Sequence, residues 1–432
     1  MLLRSIFHKL GGRSKSWLDN YTYLILISSV VGYLSFRGWT NITLFLLLVP
    51  AAVEFKKSII SAKENHLIKK LNPIVITLAL PFLTIAFSQA LQQEFILKRY
   101  DGPSRILLSI PLLLYFTYKK IDFAKLLGFA APISTLLLIP VVHSHPEVIA
   151  HWEGRFATAA VDPTAFGTYS LVLTAFCFFS MEIYSINTNL KLLILQTSGL
   201  LAGLYLLLGS STRGSWLAIP PLVILWLFLN RKMINARHLQ LICLTFFIGL
   251  IMILHIHPNY LDRVFSGLYE ISSWLEKSNT ETSTGFRLTM WQISWELFKH
   301  NPFYGYGDNG FRELLNEPWI TSIASPEARE IILFNGPHNE FLANLIRSGF
   351  MGGLSVLCLF FIPLDLFWRN RNIPQTSKAS HLGLSFITCL IICSISSEVL
   401  TLKYTNTFYG LIIASLTAQI FQSKSVKDQK AS

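Results

Sequence analysis

Residues Leu190–Gly209 read LKLLILQTSGLLAGLYLLLG, twenty positions whose only charge is Lys191. A helix rising about 1.5 Å per residue needs about 20 apolar residues to cross the hydrocarbon of a bilayer, where only helices and closed barrels satisfy every backbone group. The stretch therefore predicts a membrane-spanning helix. Working outward, eleven more segments qualify, near 21–36, 40–55, 73–91, 104–118, 121–142, 164–185, 214–230, 238–256, 338–368, 379–398 and 403–422. The expected fold is an all-α polytopic membrane protein of about twelve spans.

Composition agrees. The chain has 432 residues, of which 52% are hydrophobic and 14% charged, with a mean hydropathy of +0.48. Soluble domains carry about 25% charged residues, so a water-soluble fold is excluded. The formal net charge of +12 would suggest nucleic acid in a soluble protein, but here its distribution over the loops must be read first. With the N-terminus inside, the inner segments hold 22 basic and 7 acidic residues and the outer segments 14 and 17, which is +15 against −3. The short loops 56–70, 119–125, 231–237 and 369–378 all fall inside, as retention of cations on the cytoplasmic side requires. The excess is a topology signal, both termini are expected in the cytoplasm, and nucleic acid is not an expected partner.

Residues 1–20 are basic, with Arg4, Lys9, Arg13 and Lys15, but the segment from Tyr21 lacks a small-x-small cleavage site and leads into another apolar run. It reads as an uncleaved first span. Cys177, Cys243, Cys358, Cys389 and Cys393 all lie in apolar segments, so no disulfide framework is implied. Three regions follow: 1–256 with nine spans, 257–337 as a large polar loop on the outer face, and 338–432 with three spans and a cytoplasmic tail. The loop is too long for a mere connector and is expected to carry function. No segment is of low complexity, and no internal repeat of fixed period is visible.

Within the loop, 285–300 (GFRLTMWQISWELFKH) reads as an interfacial helix with Trp291 and Trp295 suited to the headgroup level. At 100° per residue Phe286, Met290, Ile293 and Leu297 form one apolar arc, and Trp291, Trp295 and Phe298 a second. Thr289, Gln292, Glu296, Lys299 and His300 make the polar face. Arg287 falls between the arcs, beside Ser294, where it needs an anionic partner or a route to lipid phosphate. Arg213 sits in Gly209-Ser210-Ser211-Thr212-Arg213-Gly214-Ser215-Trp216, where small and hydroxyl residues ahead of a helix start would make an anion cradle with the guanidinium. An interfacial anchor is an equally open reading there.

The third element is Asn335-Gly336-Pro337-His338-Asn339-Glu340. A cap at Asn335 or Gly336 with Pro337 at the first helical position would put His338 in the first turn, where the helix dipole disfavours imidazolium. A neutral imidazole able to accept a proton is expected, against the alternative of a structural interfacial histidine. Glu340 could orient it or be an ordinary first-turn acid. Elsewhere His143, His145, Glu147 and His151 have metal-compatible side chains, but their spacing fits no tight motif and favours a solvated loop. Arg155 and Asp162-Pro163-Thr164 could touch a glycan or form a loop ion pair with a helix start at Asp162. His255 and His257 read as interfacial. Two arginines and a histidine on one membrane face can bind a pyrophosphate, stabilise the charge developing as it leaves, and deprotonate an attacking hydroxyl.

These residues resemble the O-antigen ligase family, within the wider superfamily of O-antigen ligases and polymerases. The resemblance covers nearly the whole chain: the spans, the outer loop between the ninth and tenth, and three motifs in order. The motifs are Ser211-Thr212-Arg213-Gly214-Ser215-Trp216; Gly285-Phe286-Arg287 with Asn301-Pro302-Phe303-Tyr304-Gly305-Tyr306-Gly307 downstream; and Pro337-His338-Asn339-Glu340-Phe341-Leu342.

The resemblance implies a membrane glycosyltransferase of GT-C-like architecture in the bacterial inner membrane, working on its periplasmic side without nucleotide sugar, metal or other cofactor. Its implied donor is O-antigen on undecaprenyl pyrophosphate, and its implied acceptor a hydroxyl of the outer core of lipid A-core. Carried over by motif, Arg213 and Arg287 would bind the donor pyrophosphate and His338 would be the general base, with inversion at the transferred sugar. Arg155, Asn339 and Glu340 are candidates for glycan contact or site support.

The alternative is an O-antigen polymerase, over which the chain length, the Arg-Gly-Ser-Trp segment and the Pro-His-Asn-Glu motif favour the ligase. A protein O-oligosaccharyltransferase usually has extra C-terminal sequence. A transporter of lipid-linked glycans would place charges mid-span, and here the distinctive residues cluster at the outer interface.

Overall fold

Wherever the structure describes one of the apolar stretches, that stretch is helical. The computed structural model describes residues 17–119, 121–181, 189–233, 259–307 and 310–431. In chain order the helices are α1 (Trp17–Val31), α2 (Trp39–Val53), α3 (Phe55–Glu64), α4 (Leu67–Gln92), α5 (Asp101–Leu107), α6 (Ser109–Lys119), α7 (Phe123–His143), α8 (Pro146–His151), α9 (Pro163–Ser180) and α10 (Leu190–Gly209). There follow α11 (Arg213–Trp216), α12 (Ile219–Asn230), α13 (Asn259–Leu275), α14 (Ser283–His300), α15 (Pro318–Thr321), α16 (Pro326–Asn335), α17 (Glu340–Asn370), α18 (Ser377–Ser394) and α19 (Lys403–Ala431). Among the described residues the only extended pairing is an isolated bridge between Thr158 and Val161.

Among those residues, seven helices are long and apolar enough to cross a bilayer, counting Arg213–Asn230 as one, and α2 is a shorter apolar helix. The chain is thus an all-helical, multi-pass membrane protein. Several expected spans differ in detail. Segment 104–118 is two helices, α5 and α6, and 214–230 is the short α11 followed by α12. The helix within 164–185 ends at Ser180. The tenth segment breaks at Ser348 and Gly349, whose backbone angles are non-helical. The ninth, 238–256, lies outside the described residues, as do His255, His257, Cys243 and the basic stretch 1–16. Cys177, Cys358, Cys389 and Cys393 are free thiols.

α9 is apolar on all sides, the signature of a fully surrounded helix, and 78% of it is buried between α7, α10 and α18. For the span made of α11 and α12 the share is 22%, so that span lies toward the outside of the bundle. Lipid is as apolar as leucine, so such helices are held by packing and internal polar bonds. Gly199 and Gly203, one turn apart on α10, have no room for a Cβ against Pro132 and Thr174, which brings the backbones of α7, α9 and α10 together. Tyr33 stacks on Phe408 at 3.9 Å and meets Tyr169 edge-on at 5.0 Å, and the Tyr169 hydroxyl donates to the Val399 carbonyl at 2.9 Å.

The two ends of the bundle differ. At the end where α6 stops, Lys119 pairs with Asp19 at 2.8 Å and Glu54 at 2.6 Å. α7 runs away from that end and delivers His143 to the other, where its ring meets Tyr205 of α10. Segment 259–337 folds there around its own small core, in which Met290, Ile293 and Leu297 of α14 pack with Leu315, Ile320, Ala328 and Ile332. The apolar arc expected on 285–300 therefore exists but faces protein. Thr289, assigned to the polar face, is buried and accepts a hydrogen bond from Trp274 at 2.9 Å, while Trp295 remains outside. Within the described part of 259–337, α13 carries an exposed apolar face through Phe265, Leu268, Tyr269 and Leu275.

Candidate active site

The turn ahead of α11 is tied down by its own hydroxyls. Ser210 Oγ donates to the Leu207 carbonyl at 2.6 Å and Thr212 Oγ1 to the Pro163 carbonyl at 2.9 Å. Arg155 grips the same turn, donating through Nε to the Ser210 carbonyl at 3.0 Å and through its terminal nitrogen to Thr212 Oγ1 at 3.4 Å. These hydroxyls face backbone rather than open space, and α11 is four residues long, too short to build an axial field. The turn is therefore no anion cradle by itself; what it does is fix the position of Arg213. That guanidinium donates to both oxygens of Glu270 in α13, at 3.0 and 3.4 Å, and to Ser266 at 3.3 Å.

Glu270 also accepts from the Thr284 amide at 2.8 Å and so joins α11 to the first turn of α14. Burial raises its pKa, but the bonds from Arg213 and Thr284 outweigh that and hold the carboxyl below its ordinary value. Thr282 caps α14 by accepting from the Gly285 amide at 3.0 Å. One turn on, Arg287 donates only to the carbonyl and hydroxyl of Ser283, at 3.3 and 3.1 Å, and its Nε is buried without a partner among the described residues. Its pKa is lowered, by burial first and then by the charges of Arg213 and Arg155, with Glu270 opposing. Among the described residues, then, Arg287 is a half-buried cation, its Nε out of reach of solvent, with no carboxylate bound to it and two further guanidiniums beside it.

His338 stands in the same field. Its imidazole pKa is lowered by burial and next by the charge of Arg287, while Asp162 acts in the opposite sense. The neutral base read from the sequence is the form these surroundings favour, for a different reason than expected. His338 is not in the first turn of a helix: Asn339 is the cap of α17, accepting from the amides of Phe341 and Leu342 at 3.0 Å each, and Pro337 lies outside the helix. His338 instead adopts a left-handed backbone conformation with φ of 50°, an uncommon state for a side-chain-bearing residue and one that concentrates at functional sites. Its amide faces the Glu398 carboxylate, which takes a hydrogen bond from Thr401 at 2.8 Å.

Asn339 donates to the Ile395 carbonyl at 3.1 Å. Glu340 accepts from the Leu400 amide at 2.8 Å and Asn344 at 2.9 Å, so it ties α17 to the 395–402 connector and makes no bond to the imidazole. Asp162 caps α9, accepting from Thr164 and Ala165 at 2.9 and 3.1 Å.

The motif at 301–307 has a structural task. It plugs the break in α17: the Tyr306 and Gly307 amides donate to the Ile346 and Arg347 carbonyls at 2.8 and 2.9 Å, and the Phe350 amide to Pro302 at 2.7 Å. Gly305 and Gly349 both have positive φ, and a Cβ on either would lie within 2.6 Å of opposing backbone. Ser88 and Gln92 of α4 close the joint through the carbonyls of Tyr304, Arg347 and Gly305. The joint fixes where the start of α17, and hence His338, stands relative to α14.

Residues from four distant stretches, Arg155 with Asp162, Arg213, Arg287 and His338, thus come within electrostatic reach of one another. Glu270 and Glu398 were not legible as site residues. The signal available for Glu398 was its place as the acid of a short connector on the same face as His338; nothing in the pattern around Glu270 pointed to Arg213. His143 bonds Tyr205 at 2.8 Å and His145 bonds Glu147 at 3.0 Å, and among the described residues no three metal-ligating side chains converge. A half-buried cation cluster beside a neutral imidazole can hold an anionic group and accept a proton next to it.

The fold is that of a multi-pass membrane protein that gathers three arginines and a histidine at one end of the bundle. Residues 198–357, which contain Arg213, Arg287 and His338, match the family profile described as O-antigen ligase. The resemblance read from the motifs is thereby shown to hold. Over 187 residues the chain is 28% identical to an O-antigen ligase of Salmonella typhimurium, spanning 42% of this chain and 41% of that protein. It is also 26% identical over 405 residues to an uncharacterized protein of Haemophilus influenzae, spanning 90% of this chain and 91% of its relative.

Proposed function

We propose that the chain is a metal-independent glycosyltransferase that moves O-antigen polysaccharide from undecaprenyl pyrophosphate to a hydroxyl of the outer core of lipid A-core. In this reading twelve spans of GT-C-like architecture cross the bacterial inner membrane with both termini in the cytoplasm, and segment 257–337 covers the site on the periplasmic side. Arg213 and Arg287 bind the donor pyrophosphate and stabilise its charge as the glycosyl bond breaks, His338 takes the proton of the attacking hydroxyl, and Arg155 holds the turn that carries Arg213. The observation that carries the reading is Arg287, a half-buried guanidinium with no carboxylate bound to it among the described residues, whose charge lowers the pKa of the His338 imidazole. Such a cation lacks an anion, and a pyrophosphate supplies one.

Lipopolysaccharide from a deletion strain tests it. Complete core without O-antigen, with lipid-linked polymer accumulating, supports the ligase. Core bearing a single repeat would instead support the alternative, an O-antigen polymerase, and unattached polymer trapped on the cytoplasmic face would support a transporter.

A further inference from the structure

Helix α13 is amphipathic in the reverse sense to a helix that meets water. From Phe265 to Leu275, at 100° per residue, Ser266, Glu270, Ser273 and Trp274 gather on one side, and Phe265, Leu268, Tyr269, Ser272 and Leu275 on the other. The first side is turned inward: Ser266 and Glu270 accept from the Arg213 guanidinium, and Trp274 donates to Thr289 of α14. The apolar side is turned outward, with Phe265 61%, Leu268 62%, Tyr269 72% and Leu275 67% exposed, and none of these four belongs to either apolar core.

The outward face suits a medium without water. Between Asp262 and Glu276, both exposed, it bears no charge, and its one hydroxyl, on Ser272, donates to the Tyr269 carbonyl of its own helix at 2.9 Å. Arg213 fixes where that face stands. It opens the Arg213–Asn230 span, whose buried share of 22% is the smallest of the seven. Leu217 and Ile224, 70% and 65% exposed, follow Arg213 at spacings of four and eleven residues and so share its side of the span. The side on which Arg213 holds α13 is therefore the side that faces lipid. The α13 backbone lies over the guanidinium itself, since a Cβ on Gly267 would stand 3.5 Å from Nη1. Only residues 257 and 258 separate α13 from the apolar stretch 238–256, read from the sequence as the ninth span, so the chain enters the helix from membrane level.

We propose that α13 is an interfacial helix seated in the bilayer, with Phe265, Leu268, Tyr269 and Leu275 among the acyl chains of the leaflet on the Arg213 side. The occupant of the apolar face is lipid hydrocarbon rather than a second copy of the chain, because the face continues the exposed surface of a membrane span. Seated there, α13 stands between the acyl chains and the Arg213 guanidinium, and the bilayer sets the depth at which Glu270 meets it.

The test uses the full chain reconstituted in vesicles of palmitoyl-oleoyl phosphatidylethanolamine and phosphatidylglycerol, with p-benzoylphenylalanine placed at Leu268, at Leu275 or, as an exposed control on α16, at Glu327. Irradiation should attach phospholipid, read by mass spectrometry of the labelled peptides, at Leu268 and Leu275 at least about fivefold more than at Glu327. Crosslinking to a second copy in place of lipid, no adduct at either α13 position, or equal lipid adducts at all three positions would each overturn the assignment. The unsubstituted chain gives a second reading that does not depend on the variants folding. Hydroxyl-radical oxidation of Phe265 and Tyr269 in the same vesicles should fall to about a tenth or less of that in the unfolded chain, and oxidation at the unfolded rate would place the face in water.

Discussion

Arg213 and Glu270, 57 positions apart, are joined by a two-point ion pair, with guanidinium nitrogens at 3.0 and 3.4 Å from the two carboxylate oxygens. A carboxylate held this way occupies the face that a phosphate would take, so under the proposed function donor binding would displace or share it. Both groups are partly solvent-exposed, so the pair is worth about 0.5–1 kcal/mol after screening. Glu270→Gln is accordingly expected to lower the KM for donor by roughly two- to fivefold and to keep most of kcat. A large rise in donor KM would mean instead that Glu270 holds Arg213 in its working position.

At Arg213 and Arg287 charge can be separated from geometry. A planar guanidinium binds two phosphate oxygens at once, whereas an ammonium attracts as a point charge. Arg→Lys at either position should cut turnover at saturating donor by about ten- to a hundredfold, and Arg→Ala more, because the contacts strengthen as the leaving group gains charge. An arginine that only anchors the chain at the interface would tolerate Lys, and wild-type kinetics for Arg287→Lys would remove that residue from the site.

If His338 is the general base, the acid limb of the pH–rate profile is expected to report it. Burial and Arg287 lower the imidazole pKa, so the base stays unprotonated to a lower pH than an ordinary histidine, and activity should fall only below about pH 6.5. Removing a neighbouring positive charge must raise that pKa. The residual activity of Arg287→Gln should therefore lose its acid limb at higher pH than wild type, and an unmoved limb would assign the titration to another group.

The joint at the α17 break makes a structural prediction. Gly349→Ala imposes on a residue with a Cβ a positive-φ, extended-ψ conformation (φ 58°, ψ −149°) that essentially only glycine adopts, and also drives that Cβ to 2.6 Å from the Phe303 and Pro302 backbone. Gly154 also has a positive φ, 83°, but no neighbour within 4 Å of where an alanine methyl would stand, so Gly154→Ala is a positive-φ control without the clash. Gly349→Ala should depress the Tm in detergent clearly more than Gly154→Ala. Equal shifts would show that the 301–307 segment does not pack into the break as described.

Periodicity and charge were enough to read the helical fold. Leu190–Gly209 and the stretches of α4, α7 and α18 are apolar over a full membrane thickness, and no local rule competes with that signal. The sequence did not make the break in α17 legible, because Ser348 and Gly349 sit inside a long apolar run and hydropathy is blind to backbone angles; the cluster Gly349, Gly352 and Gly353 was the available cue. Arg213, Arg287 and His338 stood out because each is a charged or titratable group at an apolar boundary. The roles of Glu270, Glu398 and the 301–307 plug depend on which segments meet across forty or more residues, and single-chain patterning carries no such information. The cap of α17 was misplaced for a local reason: Asn339, a stronger cap than Gly336, captures the free amides and leaves His338 outside the helix.

The most direct test of the central claim is transfer by His338→Ala. The imidazole makes no hydrogen bond to a described residue that would hold the fold together, so the variant should insert and express as wild type. Reconstituted with lipid-linked O-antigen and lipid A-core, it is predicted to form no ligated product, a loss of at least about a hundredfold in rate. Near-wild-type ligation by the same membrane-inserted variant would contradict the account.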